Sequence, residues 1–227
     1  MIMEAYVNVW NCKPEVVING KSENELNLSE AQKRALEKLK EYVVYTVNNG
    51  ALNWSGQYPF DDFSLDLLKE ILEGKTDVVQ QIEKPTDKDF EEKAKELIEE
   101  LEEGDWQTVY SSALAYGCAD GCRGYHYEEY VTKKNGELVL FDNGQAHHAL
   151  CLKPERKTIV LSKEDAIQKL KEYLSALAER YDWTKRELED FELESLSTGI
   201  KLEYCDRHDF FFFNYEEECP YCAVNNA

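Results

Sequence analysis

Two extended runs meet at Asn135-Gly136 in "YHYEEYVTKKNGELVLFDNGQ". Asn-Gly between alternating apolar and polar residues is the strongest short-range signal for an antiparallel hairpin, because both central residues of the favoured turn need positive φ. The register is then fixed, and with it which side chains share a face. A second Asn-Gly, Asn143-Gly144, leads into a third run, Ala146 to Leu152. An antiparallel three-stranded meander is therefore expected. "KTIVLS" adds a possible fourth strand, and "WQTVYSSALAY" from Trp106 reads as a strand or a buried helix, the strand being the favoured reading.

Around this sheet the chain is helical. "LSEAQKRALEKLKEYVVYTVNNG" has Ala31, Ala35, Leu36, Leu39, Tyr42, Val43 and Val47 at helical spacing, Ser29 as N-cap and Asn48-Asn49-Gly50 as its end. Ser64 is expected to cap a short helix running to Leu72 and stopped by Gly74, after an aromatic loop "ALNWSGQYPFDDF". Asp87 to Glu103 reads as a charged helix with a Phe90, Ala94, Leu97, Ile98, Leu101 stripe and Gly104 as its C-cap. Ser162 opens a further helix with Ile167, Leu170, Leu174, Leu177 and Ala178 inward, and Thr184 a short one. Strands are expected between Glu4 and Ile18, closed by Asn19-Gly20, and in "GIKLEYC" and "DFFFFNYE" near the end.

The fold class is α+β: an antiparallel meander with packed helices and a small metal-bound C-terminal β element. The organisation expected is residues 1–82 as an N-terminal α+β segment, 83–198 as a helix, meander and helix core, and 199–227 as a tail, or all three as one compact domain.

The formal charge is −20. A field of that sign repels phosphate backbones, so direct nucleic-acid binding is not expected, whereas a basic protein partner is. No apolar stretch reaches the roughly 20 residues of a membrane span, so no membrane partner is expected. "MIMEAYVNVWNCKPE" lacks the basic and apolar regions of a secretory signal, and the cytoplasm is the expected compartment.

Seven cysteines without such a signal argue against a disulfide scaffold. Four late residues stand out in "YCDRHDFFFFNYEEECPYC": Cys205 and His208, then Cys219 and Cys222, each pair two residues apart. A two-residue gap lets one tight turn present two ligands to the same ion. The pattern Cys-x2-His…Cys-x2-Cys resembles the paired knuckles of zinc-ribbon and related zinc-finger modules. The resemblance implies a structural zinc held by those four residues, with no open coordination position. The string CPYC is also that of the glutaredoxins, but a redox pair needs a helix and a βαβ framework after it, and only "AVNNA" follows. In Phe210 to Phe213, alternate side chains are expected to be buried on both faces of a strand, with a partner-binding patch on one face as the alternative.

A second cluster is "YGCADGCRGYHYEEY". Cys118 and Cys122, with two of His126, His147, His148 and Cys151, make a possible second metal site; the set Cys118, Cys122, His126 and His148 is the leading choice. Its catalytic variant keeps water on the metal, with Glu128 or Glu129 as base. Alternatively Cys118 or Cys122 is a nucleophile, His147 or His148 its base, and Asp142 or Asn143 the orienting group. Small buried cysteines in a glycine-rich loop are the plainer reading.

Two function classes follow. One is an acidic, zinc-stabilised protein-interaction module. In composition it is similar to small acidic proteins of phages and mobile elements that occupy nucleic-acid-binding host proteins. The other is a cysteine- or metal-dependent hydrolase centred on Cys118, Cys122, His147 and His148. The non-enzymatic class is the favoured expectation.

Overall fold

The computed structural model describes residues 4–11, 13–44, 55–111, 125–126, 128–142, 145–146, 158–216, 219 and 222. The chain divides into two units, Met1–Glu83 and Lys84–Ala227.

In the first unit, β1 (Ala5–Trp10) and β2 (Lys13–Ile18) pair antiparallel, and β2 turns through Asn19-Gly20 into β3 (Lys21–Ser22). Asn19 has φ 49° and Gly20 φ 78°, the left-handed pair that a two-residue hairpin turn requires. β4 (Ser55–Pro59) adds on the other side of β1, giving the order β3-β2-β1-β4. Val7, Val9, Val16 and Ile18 project from one face. They meet Leu36 and Leu39 of α1 (Glu30–Tyr42) and Leu67, Leu68 and Ile71 of α2 (Asp62–Leu72).

Two expectations need correction here. Ser55–Pro59 is not loop but a strand, because β1 offers it a free edge and Tyr58 is buried from it. The N-cap of α2 is Asp61, not Ser64. The Asp61 carboxylate accepts the Ser64 N–H at 2.7 Å, and Ser64 sits three residues inside. The first helix is capped at Ser29 as read, with Gln32 closing a capping box, while Ala31 faces solvent.

The second unit holds a sheet of order β10-β8-β7-β5. β7 (Glu128–Lys134) and β8 (Glu137–Asp142) form the hairpin around Asn135 (φ 53°) and Gly136 (φ 82°), in register Lys134↔Glu137 to Glu129↔Asp142. β5 (Trp106–Ser111) flanks β7 with a bulge between Thr108 and Tyr110, and β10 (Thr158–Val160) flanks β8. The third run of the expected meander lies outside the described residues except Ala146. That residue ends β9 (Gln145–Ala146), which pairs with β6 (Tyr125–His126).

α3 (Asp87–Glu100) and α4 (Lys163–Tyr181) cover one face of this sheet. Ala94, Leu97, Ile98, Leu170, Leu174 and Ala178 pack with Val109, Val131 and Leu140 in one core. Thr86 and Ser162 cap the two helices. Ile167 and Leu177 are only half-buried; Ala166 completes the α4 stripe instead. α3 ends earlier than its charge pattern suggests. Leu101 leaves the helix to bury itself, and Gly104 serves a turn into β5 rather than a helix cap. Gly104 has φ 83°, and a Cβ there would lie 3.1 Å from the carbonyl oxygen of Leu202. Two short helices follow, α5 (Lys185–Glu189) behind Thr184 and α6 (Glu194–Thr198).

The other face of the sheet is covered by the hairpin β11 (Leu202–Cys205) and β12 (Phe210–Phe213). Phe210, Phe211 and Phe212 are buried there with Leu202, Trp106, Tyr130, Val139 and Phe141. Phe213 packs edge-on to Trp106 and Tyr130, with centroids at 5.2 and 5.7 Å. The phenylalanine run is thus core material. Among the described residues, no helix is long and apolar enough to cross a membrane.

Candidate metal centre

The second hairpin carries the site. β11 delivers Cys205 at its C-terminal end, and the chain reverses over residues 206–209. The His208 N–H bonds the Cys205 carbonyl at 3.2 Å, so the Cys-x2-His spacing is one closed turn. Beyond β12 the Cys222 N–H bonds the Cys219 carbonyl at 2.8 Å, a second turn of the same kind. Asp209, φ 49°, sets the exit into β12. Each pair is therefore pre-shaped by its own backbone before any ion is considered.

The four side chains converge. His208 Nδ1 lies 3.5 Å from Cys205 Sγ, 3.6 Å from Cys219 Sγ and 3.5 Å from Cys222 Sγ, and the Cys205 and Cys222 sulfurs are 3.8 Å apart. All four ligand atoms lie within 4.8 Å of one another. A tetrahedral ion with bonds of about 2.3 Å to sulfur and about 2.05 Å to nitrogen separates its ligands by about 3.8 Å (S···S) and about 3.55 Å (S···N). These four spacings are close to those edges. A disulfide would bring two sulfurs to about 2.05 Å, far inside them. Cys219 is buried; Cys205 and Cys222 are half-buried.

The thiol energetics fit a cation at the centre. His208, bonded to Cys205 Sγ, pulls that thiol down to about 7, with the Cys219 and Cys222 thiols helping and burial opposing. Burial pushes the Cys222 thiol up, and the neighbouring Cys205 sulfur adds to it. Protein groups alone thus favour one thiolate and resist a second beside it. A divalent cation removes that resistance, since a coordinating thiol is deprotonated by the metal. Four such ligands would fill a tetrahedron around one ion and leave no position on it for substrate or water.

The sequence-predicted residues of this site, Cys205, His208, Cys219 and Cys222, are all brought together. Those of the second cluster, Cys118, Cys122, His147, His148 and Cys151, lie outside the described residues, as do Asn143 and the side chains of His126 and Asp142. Glu128 and Glu129 are described. Glu128 is bonded by the Tyr130 hydroxyl, and Glu129 pairs with Lys169 at 2.9 Å.

Sequence reasoning missed the groups that place the hairpin. The Lys201 ammonium pairs with buried Asp105, which also accepts from the Ser195 hydroxyl at 3.0 Å. Burial pushes the Asp105 carboxyl up, but Lys201, the Glu102 N–H and the Ser195 hydroxyl outweigh it and leave it lowered. The Trp106 indole donates to the Ile200 carbonyl at 2.9 Å. Nearby, Glu194 accepts from Gln107 at 3.0 Å and Thr108 at 2.8 Å. Burial pushes its carboxyl up, Glu128 adding to this. These partners are 86 to 96 residues apart, and no local pattern marks them. No family model, no curated protein and no solved structure matches the chain.

Proposed function

We propose that the chain is a non-enzymatic protein-interaction module, stabilised by a structural zinc ion, that engages a basic protein partner. The observation that carries this reading is the closed Cys3His tetrad, because it commits those thiolates and that imidazole to holding structure rather than to chemistry. Zinc is supported by its usual bond lengths to thiolate and imidazole, with which the ligand spacings are compatible. A reducing cytoplasm is the compartment that keeps three such thiols available to it.

The partner half of the reading is supported by charge. The net charge of −20 favours a cationic surface by long-range steering and disfavours phosphate. Part of that charge lines a cleft of about 560 Å3, where Glu96, Glu100, Glu189, Asp190 and Glu192 face a single Lys93. Carboxylates set out in this way suit a surface that otherwise holds nucleic acid, which is how small acidic inhibitors of phages and mobile elements would act.

Two measurements test the reading together. Elemental analysis should give one zinc per chain in the wild type and none in Cys219→Ala. Capture by the purified protein should recover a basic partner whose binding weakens steeply as salt rises. Absence of zinc removes the first half of the proposal; a partner that is neutral or indifferent to salt removes the second.

A further inference from the structure

Zinc has no redox chemistry of its own, so an oxidant that reaches a zinc–thiolate centre takes its electrons from sulfur. Which sulfurs give them up depends on access and on a second sulfur close by. Here the three cysteines differ. Cys219 is 3% exposed and belongs to the aromatic core with Phe210, Phe211 and Phe212, whereas Cys205 and Cys222 are half-buried and pack against that core from its margin. Cys205 ends β11 and Cys222 lies 17 residues further on, beyond β12, yet their sulfurs are 3.8 Å apart. A disulfide bond measures about 2.05 Å, so each sulfur has only about 0.9 Å to travel. This is not the pair that the string CPYC suggests. Cys219 and Cys222 share one turn, with the Cys222 N–H on the Cys219 carbonyl at 2.8 Å, but burial shields the Cys219 sulfur from an oxidant.

We propose that the Cys3His centre is a peroxide-sensitive site, at which hydrogen peroxide joins Cys205 to Cys222 as a disulfide and expels the ion. This rests on the metal reading above. One of the two thiolates attacks a peroxide oxygen; the O–O bond breaks, leaving a sulfenic acid and a hydroxide. The other thiolate attacks that sulfur, forms the S–S bond and displaces a second hydroxide. Two electrons pass from the sulfurs to the peroxide, and two protons turn the hydroxides into water. Cys219 and His208 then remain, two ligands of the four, too few to close a tetrahedron around the ion. The new bond ties the end of β11 to the segment beyond β12 in the ion's place. A dithiol reductant reverses the step: it breaks that bond by exchange, becomes a disulfide itself and restores the four ligands.

The full-length protein, loaded with zinc, is treated with graded hydrogen peroxide. Released zinc is read with a chromophoric chelator, and the cysteine products by non-reducing peptide mapping. One zinc should leave for each Cys205–Cys222 disulfide formed, and a dithiol with added zinc should restore both. Cys205→His keeps four ligands without the sulfur pair and should release zinc roughly tenfold more slowly than the wild type. Cys222→His makes the same test from the other side, and the wild-type map decides alone if neither variant loads. Zinc retained in excess peroxide overturns the proposal and leaves the metal site standing. So does zinc lost with a Cys219–Cys222 disulfide or sulfinic acids as the product, or a loaded variant emptied as fast as the wild type. A chain that takes up no zinc overturns the metal reading and this proposal together.

Discussion

One sheet in this protein is covered twice, in two different ways. On one face, α3 and α4 lay down an aliphatic stripe that recurs turn after turn, with Leu97, Leu170 and Leu174 almost wholly buried. On the other, two four-residue strands bring a dense aromatic set, Phe210 to Phe212 against Trp106, Tyr130 and Phe141. The contrast is one of length. A 19-residue helix such as α4 supplies enough apolar surface and enough internal hydrogen bonds to dock by burial alone. A short hairpin does not, and on the proposed reading a metal cross-link at Cys205, His208, Cys219 and Cys222 supplies the order.

The sharpest way to break this comparison is Cys219→Ser. Structural zinc supplies on the order of 10 kcal/mol in isolated finger peptides, so the loss here should be about 4 kcal/mol or more, confined to the hairpin side. Urea unfolding of the second unit, with and without chelator, measures it; a wild type indifferent to chelator would equate the two faces. Next in size are single truncations in each core. Phe211→Ala should cost about 3–5 kcal/mol and weaken metal retention, whereas Leu174→Ala should cost about 2–5 kcal/mol with zinc stoichiometry intact. If Leu174→Ala sheds metal as readily, the faces are not independent.

A smaller effect concerns acid. The Asp105 carboxyl lies below its ordinary 3.8 in the folded protein. Its contribution is complete above that value and fades as pH falls through the folded one. Asp105→Asn should cost about 1–3 kcal/mol near neutral pH and make the acid limb of stability shallower than in the wild type, read by urea midpoints across pH. Smallest is Ser162→Ala, which removes the cap on α4 and should cost about 1 kcal/mol, lowering the melting temperature without touching metal content.

What could be read from sequence was what is local. Asn135-Gly136 announced its hairpin because the turn's dihedrals demand those residues. Ser29, Ser162 and Thr184 announced helix starts because a side-chain oxygen answers a nearby N–H. The ligand quartet was legible because each pair is a single turn. Distant decisions were not. β4 exists because the edge of β1 is open to it, and "SGQYP" has no strand signal of its own. Asp61 outranked Ser64 as a cap by one turn's placement. α3 stops at Glu100 because Leu101 has a core to enter, which charge periodicity cannot reveal. Asp105 and Lys201 meet across 96 residues, beyond any pattern window.

The Trp106–Ile200 bond also has a bearing on synthesis. Its partners are 94 residues apart, and Cys222 comes later still. At ribosomal speeds of about 5–20 residues per second, the strand bearing Trp106 waits several seconds or more for its cover. During that interval a nascent chain presents bare aromatic rings to the crowded cell, so its yield in vivo should depend on chaperone supply and, on the proposed reading, on zinc reaching Cys219 and Cys222 as they emerge.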